Sequence, residues 1–288
     1  MKIVDLQCHT TASDGKLSPT ELVNLAIRDG LKAIAITDHD SVSGVVEALE
    51  AAKGKDIEII SGVEISCDDP DFIDAHILGL FIDYKNKNLL ELLERAQKYR
   101  DEQKKAIIKK FQGLGFKITY GEVRSLAKGE IGRPHIAKVI LKNNPDKVGS
   151  IDEIFEKYLG IGKKAYVERR NKISLKEAVD AIHDANGLAF IAHPGVYTNF
   201  NVEKFIAYFI KNKGNGIETI YDYTNSRQKV TKKMSDELNK KYNIIAEKYN
   251  LLRTGGSDFH GNPGQVLGKL KVPYSVLQKN KESLNKEV

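Results

Sequence analysis

The chain of 288 residues carries 45 Lys and Arg residues against 39 Asp and Glu residues, which gives a formal net charge of +6. No apolar run approaches the ~20 residues that span a bilayer, and the first residues lack the basic and apolar regions of a signal peptide, so we expect a cytoplasmic protein. The lysines are scattered along predicted helices, which disfavours a nucleic-acid groove, although a positive balance attracts phosphorylated substrates.

The chain has two cysteines, Cys8 and Cys67. Two cysteines do not make a disulfide framework, and a cytoplasmic protein keeps its thiols reduced. Each cysteine lies beside a motif that we interpret as metal-binding, so a thiolate ligand is one interpretation. The favoured interpretation is a small buried thiol that packs as an apolar group.

The first predicted element is a strand over residues 3–9. Side chains alternate in direction along a strand, so Asp5, Gln7 and His9 are expected to share one face. A polar face of this kind predicts a polar pocket at the end of the strand. The turn that follows contains Asp14 and is expected to bring its carboxylate back towards His9.

The next segment alternates between helices and strands. Ser18 and Glu21 form a capping box that predicts a helix start. The other predicted elements are a helix over residues 43–53 and strands over residues 33–37, 57–60 and 75–81. This alternation predicts a parallel α/β sheet or barrel, in which active-site residues gather at the carboxyl ends of the strands. His39 and Glu64 are expected at two such ends.

Residues 86–162 show helical patterns alone, which predicts a helical insertion that caps the site. The barrel would then be built from two segments, residues 1–85 and 163–288. Arg133 and His135 lie at the start of a predicted helix, where backbone N–H groups favour anions. Together with Arg100 they are candidates for substrate binding, and an ordinary helix surface is the alternative.

The alternation of helix and strand resumes at a capping box that begins at Ser174. Buried strands are predicted over residues 188–192, 216–220 and 251–254. His193 follows the first of these strands, and the last leads into Asp258 and His260. All three side chains are therefore expected at the carboxyl ends of strands.

Eight potential metal ligands thus converge on one rim of the predicted barrel: His9, Asp14, His39, Glu64, His76, His193, Asp258 and His260. Imidazole combined with carboxylate suits Mn, Fe or Zn better than Ca. Because one ion needs fewer ligands, the pattern predicts two or three divalent ions, whose excess positive charge suits phosphate esters. A stabilising metal site is the alternative, but structural zinc sites use small, closed ligand sets.

These residues form motifs that resemble the PHP (polymerase and histidinol phosphatase) superfamily. The motifs are DLQCHTTASDG at 5–15, TDHD at 37–40, GVE at 62–64, His76, GRPH at 132–135, AHP at 192–194 and GSDFH at 256–260. The resemblance implies a distorted (β/α)7 TIM-like barrel with a trinuclear metal site. It is closest to the branch that removes the 3'-phosphate from nucleoside 3',5'-bisphosphates, some members of which trim short RNAs from the 5' end.

The resemblance also implies three ligand sets. They are His9, Glu64 and Asp258 for one ion, Glu64, His76 and His193 for a second, and Asp14, His39 and His260 for a third. His193, His260 and Asp14 are further expected to take part in catalysis, and Arg100, Arg133 and His135 to contact substrate phosphates. Gln7 occupies the position where the family has a first His, and its amide oxygen is a poorer ligand than imidazole.

The sequence therefore predicts a monomeric, metal-dependent phosphohydrolase that acts on small phosphorylated nucleotides or short RNAs. A histidinol-phosphate phosphatase is one alternative, which the GRPH motif at 132–135 disfavours. A non-catalytic PHP module that binds nucleotides is the other. Gln7 favours that module, and low metal content would distinguish it.

Overall fold

The computed structural model describes residues 2–127, 131–160, 162–167, 173–225 and 230–285. The predicted ranges 86–162 and 163–288 therefore extend in part outside the described residues. The chain divides into two compact units, which we call the barrel unit (Met1–Glu94 and Ile173–Val288) and the helical unit (Arg95–Lys172). The boundary falls inside a long helix, several residues beyond the predicted start of the insertion.

The described residues form strands and helices, numbered in chain order. The strands are β1 (Ile3–Cys8), β2 (Ala33–Ile36), β3 (Glu58–Asp69), β4 (Phe72–Leu80), β5 (Leu188–Ile191), β6 (Gly216–Ile220), β7 (Leu252–Gly255) and β8 (Val272–Pro273). The helices are α1 (Pro19–Arg28), α2 (Ser43–Ala52), α3 (Lys87–Gly113), α4 (Tyr120–Leu126), α5 (Arg133–Asn143), α6 (Ile151–Ile154), α7 (Leu175–Asp184), α8 (Val202–Lys211), α9 (Lys232–Lys248) and α10 (Tyr274–Leu284).

All described strands belong to one sheet of the barrel unit, in the order β7-β6-β5-β4-β3-β2-β1-β8. β1, β2 and β3 are parallel to one another, as are β5, β6 and β7. β4 runs antiparallel to both β3 and β5. This direction reversal, together with the antiparallel pairing of β8 with β1, distorts a largely parallel α/β barrel.

The sheet closes on itself through the segment that follows β7. Cys8, at the end of β1, forms a parallel bridge with Phe259, and the His9 N–H donates to the Phe259 carbonyl over 2.8 Å. The start of β1 pairs instead with the short strand β8. The expected TIM-like barrel is thus confirmed, with β8 as an additional strand that was not predicted.

Local sequence explains where α1 begins. The Ser18 side chain accepts from the Glu21 N–H, and the Glu21 carboxylate accepts from the Ser18 N–H at 2.7 Å. Leu22, Val23 and Ala26 then form a buried face. Five of the predicted strands, β1, β2, β5, β6 and β7, lie within two residues of their observed bounds. Two of them, β2 and β5, are short, fully buried apolar runs.

The strand that contains Glu64 is much longer than predicted. β3 spans Glu58–Asp69, so Glu64 lies inside a strand, and the expectation that it follows a strand end is wrong. The first half of β3 pairs with β2, and from Gly62 onwards the strand pairs with β4 in a hairpin. Glu64 lies beyond the end of β2 but still forms a parallel bridge with His39.

The helical unit has an apolar core of its own. Ile107 and Phe111 of α3 pack with Phe116, Ile136 and Ile140, all nearly or fully buried. The rings of Phe111 and Phe116 meet edge to face with centroids 5.3 Å apart. Such aromatic packing supplies large apolar burial in a small helical unit.

Candidate metal centre

Eight side chains that can ligate metal ions meet at one end of the barrel, and we call them the rim cluster. They lie after β1 (His9, Asp14), β2 (His39), β5 (His193) and β7 (Asp258, His260), and within β3 (Glu64) and β4 (His76). β4 contributes from its middle residue, and it runs antiparallel to its neighbours. The fold thus brings together all eight residues that the sequence indicated.

Glu64 lies at the centre of the rim cluster and is fully buried. Its Oε1 atom lies 2.7 Å from His76 Nδ1 and 2.9 Å from His193 Nε2. Its Oε2 atom lies 3.0 Å from His9 Nε2 and 3.6 Å from His39 Nδ1. One carboxylate therefore faces four imidazoles, two on each oxygen.

The other two carboxylates of the cluster face the His9 side. Asp258 Oδ1 lies 3.0 Å from His9 Nε2 and 3.6 Å from His260 Nδ1. Asp14 Oδ1 lies 3.3 Å from His260 Nε2 and 3.9 Å from His9 Nδ1. The rings of His9 and His260 stack with centroids 4.1 Å apart, so these four side chains form one continuous patch.

Among the described residues, three overlapping groups place their ligand atoms within 4.8 Å of one another. They are His9, Asp14, His39 and His260; His39, Glu64 and His76; and His9, Glu64 and Asp258. The last group coincides with one predicted ligand set. The first group contains the predicted set of Asp14, His39 and His260 with His9 added, and the second has His39 where the prediction has His193.

The donor atoms of the cluster fit divalent cations. Within the described part of the chain, both ring nitrogens of His9, His193 Nδ1 and Asp258 Oδ1 are buried without a hydrogen-bond partner. His9 Nε2 is close to two carboxylate oxygens but lacks hydrogen-bond geometry to either. Buried polar atoms without partners are costly, and ion coordination would satisfy them.

The charges of the cluster also favour cations. Burial disfavours a charged His9, but the Asp258 and Glu64 carboxylates outweigh burial and raise the pKa of His9 well above its usual value. Burial likewise opposes ionisation of Glu64, yet the facing imidazoles of His39 and His76 hold its pKa well below the usual range. Metal binding needs neutral imidazole, so bound divalent ions would replace the protons that the neighbouring carboxylates favour on the histidines.

Gln7 lies beside the same carboxylate. Its Nε2 atom donates to Glu64 Oε2 over 3.2 Å, and its Oε1 atom is buried without a partner among the described residues. The amide N–H of Gln7 and the His9 ring thus contact the same oxygen of Glu64. An amide donor at this oxygen competes with a cation for it.

Asp5 does not join the rim cluster, although its side chain and that of Gln7 both lie against Gly256. Asp5 accepts instead from the backbone N–H groups of Ser257 and Gly268 over 2.8 and 2.9 Å, and from the Ser257 hydroxyl. It anchors the segment that carries Asp258.

Asp38 fixes the loop that holds Asp14. Its carboxylate accepts from the Thr10 N–H over 2.7 Å and from the Ser13 hydroxyl over 2.6 Å. At Gly15, a Cβ atom would lie 2.4 Å from the His9 carbonyl oxygen, so only glycine allows this tight turn. These contacts explain how Asp14 returns to His9, as the sequence predicted.

Tyr221 is a site residue that the sequence did not indicate. Its hydroxyl donates to Asp258 Oδ2 over 3.0 Å, and its ring lies 5.5 Å from that of His193. Its position directly after β6, at the carboxyl end of a strand, was the available signal.

Cys8 is fully buried, and burial raises the pKa of its thiol well above the usual value, which disfavours a thiolate ligand.

Arg100, Arg133 and His135 all lie in the helical unit. His135 Nδ1 accepts from the Gly132 N–H over 2.9 Å and so caps α5. The Arg133 guanidinium lies 5.9 Å from the centre of the Tyr166 ring. Their contact with substrate stays a prediction.

No helix in the described ranges has the length and apolar character required to cross a membrane.

Comparison with known proteins identifies relatives over nearly the whole chain. The chain is 36% identical over 272 residues to a 5'-3' exoribonuclease of Haemophilus influenzae, covering 93% of this chain and 94% of that protein. It is 32% identical over 269 residues to a 3',5'-nucleoside bisphosphate phosphatase of Chromobacterium violaceum, covering 92% and 89%.

A solved structure has the same fold. The crystal structure of a protein assigned as a metal-dependent phosphoesterase from Bifidobacterium adolescentis aligns with a TM-score of 0.81 and 26% identity, covering 97% of this chain and 95% of that one. The model of the PHP domain matches residues 5–172, more than half of the chain. The chain therefore belongs to the PHP domain family of metal-dependent phosphoesterases.

Proposed function

We propose that the protein is a metal-dependent phosphohydrolase that removes the 3'-phosphate from nucleoside 3',5'-bisphosphates. The observation that carries the proposal is the buried carboxylate of Glu64, which faces four imidazoles at the carboxyl rim of a barrel. A cluster of this composition binds divalent ions such as Mn, Fe or Zn.

We assign the ligands to three ions, as the resemblance implies. The sets are His9, Glu64 and Asp258; Glu64, His76 and His193; and Asp14, His39 and His260. The two oxygens of Glu64 contact different imidazoles, which supports its place in two of the sets. Gln7 stands beside the first set, and its contact with Glu64 supports a weaker first ion.

Bound divalent ions would stabilise negative charge on the phosphoryl oxygens and lower the pKa of a water molecule. The side chains of the rim position the reacting groups and handle protons. His193 and His260 are our candidates for protonating the leaving oxygen. Asp14, which lies 3.3 Å from His260 Nε2, is the third rim side chain that we assign to catalysis.

We assign the second phosphate of the substrate to Arg100, Arg133 and His135. Guanidinium groups bind phosphate through paired hydrogen bonds, and a phosphate held away from the reacting centre positions the substrate. The name of the Chromobacterium violaceum relative supports a bisphosphate substrate.

Trimming of short RNAs from the 5' end is the second candidate activity. The Haemophilus influenzae relative, named a 5'-3' exoribonuclease, favours it. Both activities hydrolyse a phosphate ester next to a second phosphate, so one centre can serve both. The cytoplasmic location and monomeric state expected from the sequence stay predictions.

A comparison of three substrates tests the proposal. Purified protein with added Mn²⁺ would be given adenosine 3',5'-bisphosphate, a 5'-phosphorylated oligoribonucleotide or histidinol phosphate, and product would be measured over time. We expect rapid release of inorganic phosphate from the bisphosphate and loss of release with EDTA. Faster hydrolysis of histidinol phosphate, or no hydrolysis of either nucleotide at any Mn²⁺ concentration, would contradict the proposal.

A further inference from the structure

His193 has an unusual backbone conformation for a residue with a side chain. Its φ of 28° lies in the left-handed region, which non-glycine residues rarely adopt without support from their surroundings. The same residue places its Nε2 atom 2.9 Å from Glu64 Oε1. Something must therefore hold the backbone at the point where the chain leaves β5.

The peptide bond between Ala192 and His193 is held at both ends by buried side chains. Glu218 of β6, fully buried, accepts from the His193 N–H over 2.8 Å. The hydroxyl of Tyr197, whose side chain is 8% exposed, donates to the Ala192 carbonyl over 3.1 Å. One peptide unit is thus bound from two directions.

Tyr197 also links His193 to another candidate ligand. The His76 N–H donates to the Tyr197 hydroxyl over 2.9 Å. The regular pairing of β4 with β5 extends to Ile77 and Ile191, and the Ala192 N–H still donates to the His76 carbonyl over 3.2 Å. Beyond that point the tyrosine hydroxyl bridges the two strands, and it keeps His76 and His193 on the same oxygen of Glu64.

From this geometry we propose that Tyr197 and Glu218 are positioning residues that clamp the Ala192–His193 peptide and so set the His76–Glu64–His193 metal subsite. The proposal rests on the proposed function, which supplies the ions, but the clamp itself is a property of the metal-free chain. Residues that orient metal ligands typically change metal affinity by about 10- to 100-fold when replaced.

Variants at the two positions separate positioning from simple packing. Tyr197→Phe removes one hydroxyl, and Glu218→Leu removes the acceptor, whereas Glu218→Gln keeps an oxygen that can accept from the His193 N–H. Tyr242→Phe, at a buried tyrosine of α9, is the matched control for loss of a buried hydroxyl.

Three measurements apply to each variant: hydrogen exchange, Mn²⁺ affinity and steady-state kinetics. In metal-free protein, hydrogen exchange of the peptide that contains the His193 amide reports the clamp directly. In the presence of Mn²⁺, the affinity of the bound ions and the separate kcat and KM values report the subsite. We expect Tyr197→Phe and Glu218→Leu to speed exchange and to weaken Mn²⁺ binding by about 10- to 100-fold. kcat should fall more than KM rises, and Glu218→Gln should restore near wild-type values.

Unchanged exchange and unchanged Mn²⁺ affinity in Tyr197→Phe and Glu218→Leu would overturn the clamp, as would equal loss in Tyr242→Phe or no rescue by Glu218→Gln. Failure of the proposed function gives a different result. In that case the wild-type protein releases no phosphate, while the exchange differences between variants are still present.

Discussion

In the helical unit the least exposed side chains include Phe111 and Ile136, whereas at the barrel rim they include His9 and Glu64. Apolar burial stabilises a fold by about 25 cal/mol per Å². Buried ionisable groups oppose folding unless partners compensate for their lost hydration. Buried residues of the helical unit thus stabilise the fold, whereas those of the rim are buried for metal binding and catalysis. Replacements in the helical unit should therefore lower stability, and replacements at the rim should lower metal affinity and activity.

The largest effect is expected at the rim, from Glu64→Gln. The amide keeps the shape but loses the charge that faces four imidazoles, so phosphate release should fall by about 10²- to 10³-fold, the scale of an active-site electrostatic group. Steady-state kinetics with adenosine 3',5'-bisphosphate would measure the loss. Glu47→Gln, at an exposed glutamate of α2, is the control and should behave as wild type. Wild-type rates in Glu64→Gln would remove Glu64 from the centre.

Phe111→Ala should give the reverse pattern in the helical unit. It leaves a cavity beside Phe116 and Tyr158, with an expected cost of about 3–5 kcal/mol. Faster hydrogen exchange of amides in α3 and α5 would report this loss, while Mn²⁺ affinity stays unchanged. Phe111→Leu, which keeps most of the volume, should lose much less. A loss of Mn²⁺ affinity equal to that of Glu64→Gln would contradict the contrast.

Asp5→Asn tests a residue that serves both fold and site. The amide would point an N–H group at donors from Ser257 or Gly268, and each buried donor left unpaired costs about 1–3 kcal/mol. Urea unfolding should show this loss, and Mn²⁺ binding should weaken because the Asp258 segment is displaced. Ser257→Ala, which removes one hydroxyl, should cost less. Full stability in Asp5→Asn would show that this anchor is unimportant.

Gln7→His should increase Mn²⁺ affinity. Imidazole is a better ligand than an amide oxygen, and the change removes the donor that occupies Glu64 Oε2. We expect the weakest ion to bind about 10-fold more tightly, the lower end of what groups around a metal site contribute. Isothermal titration calorimetry would measure it, with Gln7→Leu as a control that removes the amide without adding a ligand. Unchanged or weaker binding in Gln7→His would contradict this account of Gln7.

The smallest effects are expected at two matching helix caps, one in each unit. Ser18 caps α1 and Thr119 caps α4, each within a capping box. Replacement by Ala should cost about 1 kcal/mol in either unit, because one backbone donor loses its acceptor. Thermal unfolding of each Ala variant should show the same loss of stability relative to wild type with and without Mn²⁺. A metal-dependent loss at Ser18 would link this cap to the rim.

Features set by a few neighbouring residues were predictable. The start of α1 follows from the reciprocal hydrogen bonds of Ser18 and Glu21, and β2 from a short apolar run. The rim cluster was predictable because most of its histidines and carboxylates follow strand ends, and strand ends of a barrel meet at one rim. Even Glu64, whose strand was placed too short, was assigned to the correct rim.

Features that depend on contacts between distant segments could not be predicted from the sequence. The antiparallel direction of β4 depends on its hairpin with β3, and nothing in the strand itself records it. The anchoring role of Asp5 depends on Ser257 and Gly268, far along the chain, and alternation within β1 does not indicate it. Glu218 of β6 acts on a peptide bond that follows β5, and the Tyr197 hydroxyl accepts from the distant His76 N–H, so their roles follow from packing rather than from any local pattern.

The most direct test of the central claim is a metal titration followed by activity. Wild-type protein stripped of metal would be titrated with Mn²⁺ while phosphate release from adenosine 3',5'-bisphosphate is measured. We expect no release from the stripped protein and a rise in release that saturates after two or more equivalents are bound. Undiminished release without metal, or saturated metal binding without any release, would contradict the assignment of the rim cluster as a catalytic metal centre.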